Sequence, residues 1–205
     1  MKGKYIKKIM FLLLFVVMFS CCIGSKRGSI NEIAKGNTDE DELLSFMVYG
    51  SDFLISVALP ETWTVDMNYA QQVGVNGFFY QKKYSINDSQ SAIILQLAYK
   101  PNEETNLEDW IDYDLDAILD YYEGSSFEKT DWNVHNKNGY RIIVYDLKVG
   151  KIRQQQYVSY FDVGLNYFAK IYVTILDENI HNDIVDDYRK CLENSEFTGI
   201  GIKMN

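Results

Sequence analysis

The sequence predicts an α+β domain in which an antiparallel β-sheet, arranged largely as a meander, is covered by helices on both faces. Four β-rich runs follow one another between residues 127 and 176, separated by short gaps that each contain a glycine. Two of these runs are apolar on both sides, and such strands need cover on both faces of the sheet. Segments with helical spacing at 106–123 and 180–194 can supply that cover.

Length, composition and charge restrict the class of protein. The chain has 205 residues, 47% of them hydrophobic, and a formal net charge of -9. This length accommodates one domain with extra segments, and the hydrophobic share is typical of a globular chain. The acidity argues against nucleic-acid binding, and the sequence contains no second long apolar run of the kind that a polytopic membrane protein needs.

The first twenty residues have the parts of a secretory signal peptide. Four lysines lie between residues 2 and 8, and an unbroken apolar run of 11 residues follows at 9–19. As a helix this run would rise only about 16 Å, which is too short for a hydrocarbon core of about 30 Å. We therefore expect residues 1–20 to be an export signal that is cleaved after Ser20.

The end of this signal, Val17-Met18-Phe19-Ser20-Cys21, resembles a bacterial lipobox in a relaxed, spirochaete-like form. Met18 takes the place of the usual leucine, and Ser20 is the small residue before the cysteine. The resemblance implies a lipid anchor on the Cys21 sulfur and a location at the cell envelope, on the outer or inner membrane. Cys22 is the alternative lipid attachment residue, and an ordinary secretory signal with incidental cysteines is the other interpretation.

The segment that follows the cysteine is predicted to be a flexible acidic tether at 21–43. It lacks hydrophobic periodicity and contains the acidic run Asp39-Glu40-Asp41-Glu42. With two or more acyl chains on its first residue, such a segment would hold the domain stably at a membrane surface.

Local patterns predict the elements of a domain at 44–198. Strands are expected at 44–49, 53–59, 75–82 and 91–99, with a turn after Gly50 and a stop at Pro60. The helix at 106–123 begins with a capping box from Thr105 to Glu108. The meander strands are then expected at 127–135, 140–148, 152–161 and 165–176, and their short connections impose antiparallel pairing.

The helix at 180–194 carries one apolar side, and Cys191 lies on it. We expect Cys191 to be a small buried hydrophobe, with a Cys22–Cys191 disulfide as the alternative. Residues 199–205 are expected to be a C-terminal tail.

The order of these elements resembles that of PsbP-like domains over residues 44–198. The first strand pair ends in Pro60-Glu61-Thr62-Trp63, and Gly77-Phe78-Phe79-Tyr80, the long helix, the meander and a final helix up to Ser195 follow. The resemblance implies an α/β/α sandwich and implies no shared catalytic residues.

The sequence motifs predict no catalytic residue, no cofactor and no metal site. The two histidines, His135 and His181, are expected at the surface, because neither has enough ligand-type neighbours for a zinc site. The sequence contains no phosphate-binding loop, nucleophile elbow or zinc-protease pair.

The region 103–123 concentrates acidic residues without a single base. Its nine acids are Glu103, Glu104, Glu108, Asp109, Asp112, Asp114, Asp116, Asp120 and Glu123. A solvated helix face is the favoured interpretation, and a recognition face or a divalent-ion site is the alternative. Because like charges at i,i+4 repel, we expect relief from a base such as Lys129 or Arg141.

These observations favour a membrane-anchored, non-enzymatic binding module whose partner is a protein or a small ligand, not a nucleic acid. Tyrosines with Gln154-Gln155-Gln156 are read as sheet positions in preference to a ligand site. The alternative function is a hydrolase of envelope polymers that uses paired carboxylates from 103–123 or from Asp177 and Glu178.

Overall fold

A computed structural model of the chain describes residues 29–34, 43–50, 53–86, 89, 91–102, 104–122, 125–130, 141–149, 152–164, 166–176 and 181–199. The strands are β1 Ser29–Ala34, β2 Leu43–Tyr49, β3 Phe53–Pro60, β4 Trp63–Val65, β5 Gly77–Gln81, β6 Ser91–Tyr99, β7 Ser126–Thr130, β8 Arg141–Val149, β9 Ile152–Val163, β10 Tyr167–Ile175 and β11 Glu196–Gly199. The helices are α1 Met67–Val73, α2 Leu107–Tyr121 and α3 His181–Asn194.

The larger sheet has seven strands in the order β4-β5-β6-β10-β9-β8-β7, and every pair in it is antiparallel. Strands β7 to β10 follow one another as neighbours, so the predicted four-stranded meander is confirmed. Helices pack on both faces of this sheet, which confirms the predicted α+β class.

A second sheet has the order β1-β2-β3-β11. Strands β2 and β3 belong to this sheet, a division into two sheets that the sequence patterns did not predict. The chain leaves β3 at Pro60 and turns at Glu61 and Thr62 before Trp63 opens the larger sheet. Proline cannot continue a ladder as a donor, and this break separates the two sheets.

The two faces of the seven-stranded sheet bury different cores. One face, here called the α3 face, packs against α3 and the second sheet through side chains such as Ile171, Val173 and Tyr188. The opposite α2 face packs against α1 and α2 through side chains such as Ile94, Ile111 and Tyr172. Alternation along each strand sends successive side chains to opposite faces, so β10 contributes to both cores.

Several predicted boundaries need correction. Residues 29–34 form β1 and pair with β2, so that part of the predicted tether is a strand. A strand can form here without hydrophobic periodicity, because the unpaired backbone N–H and C=O groups at the edge of β2 can bind any extended segment. The cap of α2 is Asn106 rather than Thr105, since the Asn106 side chain reaches the backbone N–H of Asp109 at 2.9 Å.

Helix α1 was not expected from the sequence because seven residues are too few for a clear periodicity. It begins at Asp66, whose side chain accepts from the backbone N–H of Tyr69, and ends at Gly74 with φ 75. An aspartate cap and a left-handed glycine are the local signals that mark such a helix.

Candidate functional site

Helix α2 presents one face to solvent and the other to the sheet. Its first turn carries Glu108 and Asp109, where the helix dipole favours negative charge. Its last hydrogen bond is donated by the backbone N–H of Tyr122 to the Ile118 carbonyl at 2.9 Å. The apolar side chains that α2 buries are those of Ile111, Leu115 and Ile118.

The solvent side of α2 forms what is called here the outer acidic face. It consists of five exposed carboxylates, those of Glu108, Asp109, Asp112, Asp116 and Asp120. Two tyrosines lie among them, and the side chain of Tyr113 is 68% exposed while that of Tyr121 is 42% exposed. The prediction of a solvated helix face is confirmed for these five acids. Glu103 and Glu123 lie outside the described residues.

Asp114 departs from that prediction, because it is only 4% exposed and lies on the side of α2 that faces the sheet. Its two carboxylate oxygens accept hydrogen bonds from the Lys170 ammonium group at 2.7 and 2.8 Å. Tyr160 donates a third hydrogen bond, from its hydroxyl to Asp114 Oδ2, at 2.7 Å. Lys170 is itself 3% exposed, so both charges of this pair are removed from water.

The base that meets Asp114 is therefore Lys170, which was not among the expected partners. The side chains of Lys129 and Arg141, the expected partners, lie outside the described part of the structure. Two local signals point to the pair that forms. Asp114 interrupts the apolar stripe of α2, and Lys170 interrupts a strand whose other residues are almost all apolar. Charges at buried positions must find partners, and these two face each other.

The ion pair influences a neighbouring tyrosine. Burial raises the pKa of Tyr172, and the negative charge of Asp114 raises it further. The Tyr172 hydroxyl is fully buried and has no hydrogen-bond partner among the described residues. The α2 face thus contains one strongly paired charge centre and one unsatisfied hydroxyl.

A second ion pair lies near the beginning of α2. The Lys100 ammonium group donates to Asp162 Oδ1 at 2.6 Å and lies 4.6 Å from the centroid of the Phe168 ring. The Trp110 ring stacks on Phe168, with centroids 5.1 Å apart and planes 10° from parallel. This contact fixes the first turns of α2 over the start of β10.

Most of the remaining predicted residues lie outside the described part of the chain. Cys21, Cys22, Ser20, His135, Asp177 and Glu178 lie outside the described residues, and the His181 side chain is not described although its backbone begins α3. Gln156 is buried and donates to the Thr174 hydroxyl at 3.1 Å. This structural role matches the favoured interpretation of the glutamine run as part of the sheet.

Cys191 is buried in α3 and is a free thiol, so the alternative Cys22–Cys191 disulfide is wrong and the prediction of a small buried residue is confirmed. Its sulfur lies 3.6 Å from the Ser195 hydroxyl oxygen. Burial raises the pKa of the Cys191 thiol to about 12. A thiol that stays protonated at neutral pH is a poor nucleophile.

Two further observations apply to the described residues only. No three or more of their His, Cys, Asp and Glu side chains are grouped so that they could hold a metal ion. None of the helices α1 to α3 has both the length and the apolar character needed to cross a bilayer.

Comparison with known proteins yields structural similarity alone. No family model matches the chain. No curated protein matches it in sequence.

Solved structures do match. The crystal structure of LpqN, involved in cell envelope biogenesis of Mycobacterium tuberculosis, matches with a TM-score of 0.51 at 9% sequence identity, covering 84% of this chain and 92% of that chain. The solution structure of cyanobacterial PsbP (CyanoP) from Synechocystis sp. PCC 6803 matches with a TM-score of 0.49 at 12% sequence identity, covering 86% of this chain and 96% of that chain. The chain thus has a fold similar to that of LpqN, and its structural neighbours include a protein of the PsbP kind.

Proposed function

We propose that this protein is an envelope lipoprotein, exported and anchored to a membrane by a lipid on Cys21, whose α+β domain acts as a non-enzymatic binding module. The observation that carries the proposal is the order of residues at the start of the chain. Four lysines precede an 11-residue apolar run, and Ser20 and Cys21 close that run. This order is typical of an export signal, and the cysteine at its end distinguishes a lipidated signal from an ordinary one.

The fold supports the same assignment without carrying it. LpqN, which has a similar fold, is described as involved in cell envelope biogenesis. An acyl anchor confines a domain to the membrane surface without any apolar patch on the domain itself, and stable anchoring needs two or more chains. Proteins held in this way meet their partners in the plane of the membrane.

The anchor is tested by mass spectrometry of the N-terminal peptide of the full-length protein, expressed in a bacterium that lipidates exported proteins. We expect a diacylglyceryl-modified Cys21 at the mature N-terminus and recovery of the protein with membranes. Cys21→Ala should abolish the modification and release the protein, whereas the matched variant Cys22→Ala should leave both unchanged. An unmodified Cys21 in a freely soluble product would disprove the anchor, and the reverse pattern would assign the lipid to Cys22.

The surface assigned to binding is the outer acidic face of α2. Its carboxylates provide charge for a basic partner surface, and the exposed ring of Tyr113 provides apolar area beside them. The inner side of the same helix is held by the Asp114–Lys170 ion pair, so the outer face has a defined orientation on the domain. Complementary charge of this kind accelerates association and selects partners more than it raises affinity.

The binding surface is tested with the lipid-free protein on a support, used to capture proteins from an envelope extract. The variant Asp112→Asn/Asp116→Asn/Asp120→Asn should lose a captured partner. The matched variant Asp183→Asn/Asp186→Asn/Glu193→Gln changes three exposed acids of α3 and should retain it. Equal capture by both variants would exclude the α2 face as the binding surface.

The alternative hydrolase needs two carboxylates about 5–10 Å apart across a cleft, one of them with a raised pKa. Asp114 is the buried carboxylate of α2 among the described residues, and it accepts three hydrogen bonds from Lys170 and Tyr160. Both oxygens of this carboxylate are engaged by these donors, and the side chain is 4% exposed, so it does not line a cleft that a substrate could enter. This contact favours the binding module over the hydrolase.

A further inference from the structure

One end of the molecule carries four aromatic residues, here called the aromatic end: Tyr49, Phe53, Tyr99 and Tyr167. The rings of Phe53 and Tyr167 meet edge to face with centroids 5.4 Å apart. The rings of Tyr167 and Tyr99 do the same at 5.5 Å. Tyr49 ends β2 and faces Leu54, the neighbour of Phe53, in the β2–β3 register. The group therefore joins the second sheet to the end of β6 and the start of β10.

The outer members of this group are open to solvent. Tyr99 is 59% exposed and Tyr49 is 36% exposed, and both are among the few large apolar side chains that the described residues leave in water. Phe53 is buried at 2% exposure and contacts the ring of Tyr167, on which Tyr99 packs, whereas Tyr49 lies on the opposite face of the second sheet. An exposed tyrosine supported in this way, as Tyr99 is, forms a firm surface rather than a flexible side chain, because ring contacts restrict its movement.

The chain that comes from the proposed anchor enters the domain at this same end. Strand β1 is antiparallel to β2, and its first residue, Ser29, is the register partner of Tyr49. Cys21 lies eight positions before Ser29. Fully extended, that segment reaches at most about 29 Å, so a lipid on Cys21 keeps Ser29, the register partner of Tyr49, within that distance of the membrane.

We infer that the aromatic end is a membrane-contact surface that rests on the headgroup region of the bilayer. The inference rests on the proposed lipid anchor. Tyrosine suits this environment because its ring can enter the interface while its hydroxyl stays in contact with water, and tyrosines are enriched at both membrane–water interfaces. Anchor and aromatic end together give the domain a fixed orientation, with β2, β3, β6 and β10 meeting the membrane at their Tyr49, Phe53, Tyr99 and Tyr167 ends.

The charges near this end determine which lipid surface fits. Lys100 is paired with Asp162 and contributes no free positive charge. Glu104 and Glu108 are exposed close to the same end, because α2 begins where Trp110 stacks over Phe168. Acidic side chains are repelled by strongly anionic headgroups, whereas Lys26 and Arg27 in the segment before Ser29 are attracted to them, so the described surface requires no anionic lipid and a zwitterionic bilayer suffices.

When the aromatic end rests on the membrane, the outer acidic face of α2 stays accessible to binding partners. Along β10, the helix contacts Phe168 through Trp110 and Lys170 through Asp114. It therefore runs in the same direction as β10, away from the aromatic end. A domain resting on the aromatic end presents the outer acidic face sideways to partners on the membrane.

The inference is tested by hydroxyl-radical footprinting of the full-length lipidated protein in phosphatidylcholine vesicles, with the unlipidated variant Cys21→Ala/Cys22→Ala in solution as the reference. Tyr113 is the internal control, because it is as exposed as Tyr99 but lies on the outer face of α2. Oxidation of Tyr99 should fall by about half on the vesicles, since an interfacial tyrosine keeps its polar end in water. Oxidation of Tyr49 should also fall, and that of Tyr113 should not change.

A second arm measures transfer of the lipidated protein between vesicles. Tyr99→Ser should accelerate transfer several-fold, whereas the matched variant Tyr84→Ser, beyond the Gln81 end of β5 and thus at the opposite end of the sheet, should not. If the lipid is present and Tyr99 is protected no more than Tyr113, the membrane-contact surface is overturned while the anchor stands. If mass spectrometry finds no lipid on either cysteine, the proposed anchor fails and the inference fails with it.

Discussion

Both faces of the seven-stranded sheet are covered by a helix, but the polar contacts buried on the two faces differ in charge. On the α3 face the contacts of Tyr188 are neutral: its hydroxyl donates to the Ile171 carbonyl at 2.8 Å and lies 2.8 Å from the Ser159 hydroxyl. The carboxylate that meets this core, that of the partly exposed Asp187, accepts a hydrogen bond from the neutral indole N–H of Trp63 at 2.8 Å. On the α2 face a full ion pair, Asp114 with Lys170, lies between helix and sheet. The α3 face can therefore derive its stability from apolar burial, whereas the α2 face must also compensate for two desolvated charges.

This difference teaches what a buried ion pair contributes. Replacing such a pair with apolar residues is often neutral or stabilising, so net stability is a poor explanation for its presence. The apolar side chains Leu107, Ile111, Leu115 and Ile118 recur at each turn of α2. A shift by one turn would exchange one apolar side chain for another, but it would leave Lys170 buried without Asp114. Our hypothesis is that the pair sets the position of α2 on the sheet.

The largest loss of stability on the α2 face is expected when one charge of the Asp114–Lys170 pair is removed. Lys170→Met leaves the Asp114 carboxylate buried without its cation, and we expect a loss of about 3–5 kcal/mol in the free energy of unfolding. Guanidinium unfolding of the lipid-free protein measures it. The exposed control Lys82→Met should change stability by less than about 0.5 kcal/mol.

Removal of both charges completes that comparison. Asp114→Leu/Lys170→Met should recover most of the loss, because no unpaired charge remains. A double variant as unstable as Lys170→Met would show that the cation acts through packing alone and would contradict the hypothesis.

A smaller effect is expected on the α3 face. Tyr188→Phe removes the hydroxyl that contacts Ser159 and Ile171 and should cost about 1–3 kcal/mol, the range for leaving a buried polar group unsatisfied. The same unfolding measurement applies. A loss equal to that of Lys170→Met would mean that neutral and charged contacts contribute alike, and the contrast between the faces would disappear.

Tyr172→Phe tests the unsatisfied hydroxyl of the α2 face. Replacing a buried hydroxyl that has no partner with an apolar ring of the same shape should be neutral or should stabilise the protein by up to about 1 kcal/mol at pH 7.

The same variant has a signature at alkaline pH. Because burial and Asp114 raise the pKa of Tyr172 above its ordinary value of 10.0, the unfolded state loses this proton first as pH rises. The contribution of Tyr172 to the free energy of unfolding is therefore fully present below pH 10 and is lost as the pH rises above it. Tyr172→Phe should make the fall in stability at alkaline pH shallower. An unchanged slope in unfolding experiments between pH 9 and pH 11 would contradict the assignment.

The smallest effect concerns the outer acidic face. Asp112→Asn/Asp116→Asn/Asp120→Asn removes three like-charge pairs at i,i+4, namely Glu108 with Asp112, Asp112 with Asp116 and Asp116 with Asp120, each of which costs about 0.2–0.5 kcal/mol. Tm should rise by about 1–5 °C. The rise should shrink in concentrated salt, which screens exposed charges. A fall in Tm would show that these carboxylates are stabilised by contacts within the domain.

Much of the fold was predictable because it follows from local patterns. The period-2 runs and short glycine-containing gaps of β7 to β10 predicted the meander, and the stripe of α2 predicted that helix almost to its ends. One part of the candidate site, the exposed acids, could be predicted, but the buried ion pair could not. The exposed acids of α2 follow from its helical periodicity, but Lys170 lies 56 residues from Asp114, and the sequence does not state which base meets which acid.

The amino-acid sequence alone determined most of the helices and strands, the antiparallel meander and the residues that point to a lipid anchor, because each depends on near neighbours in the chain. Only the tertiary structure decided that β2 and β3 leave the main sheet, that Asp114 is buried against Lys170, and that Ser29 enters beside the exposed tyrosines. These depend on contacts between distant segments, whose register is set by the packing of the whole domain and not by local periodicity.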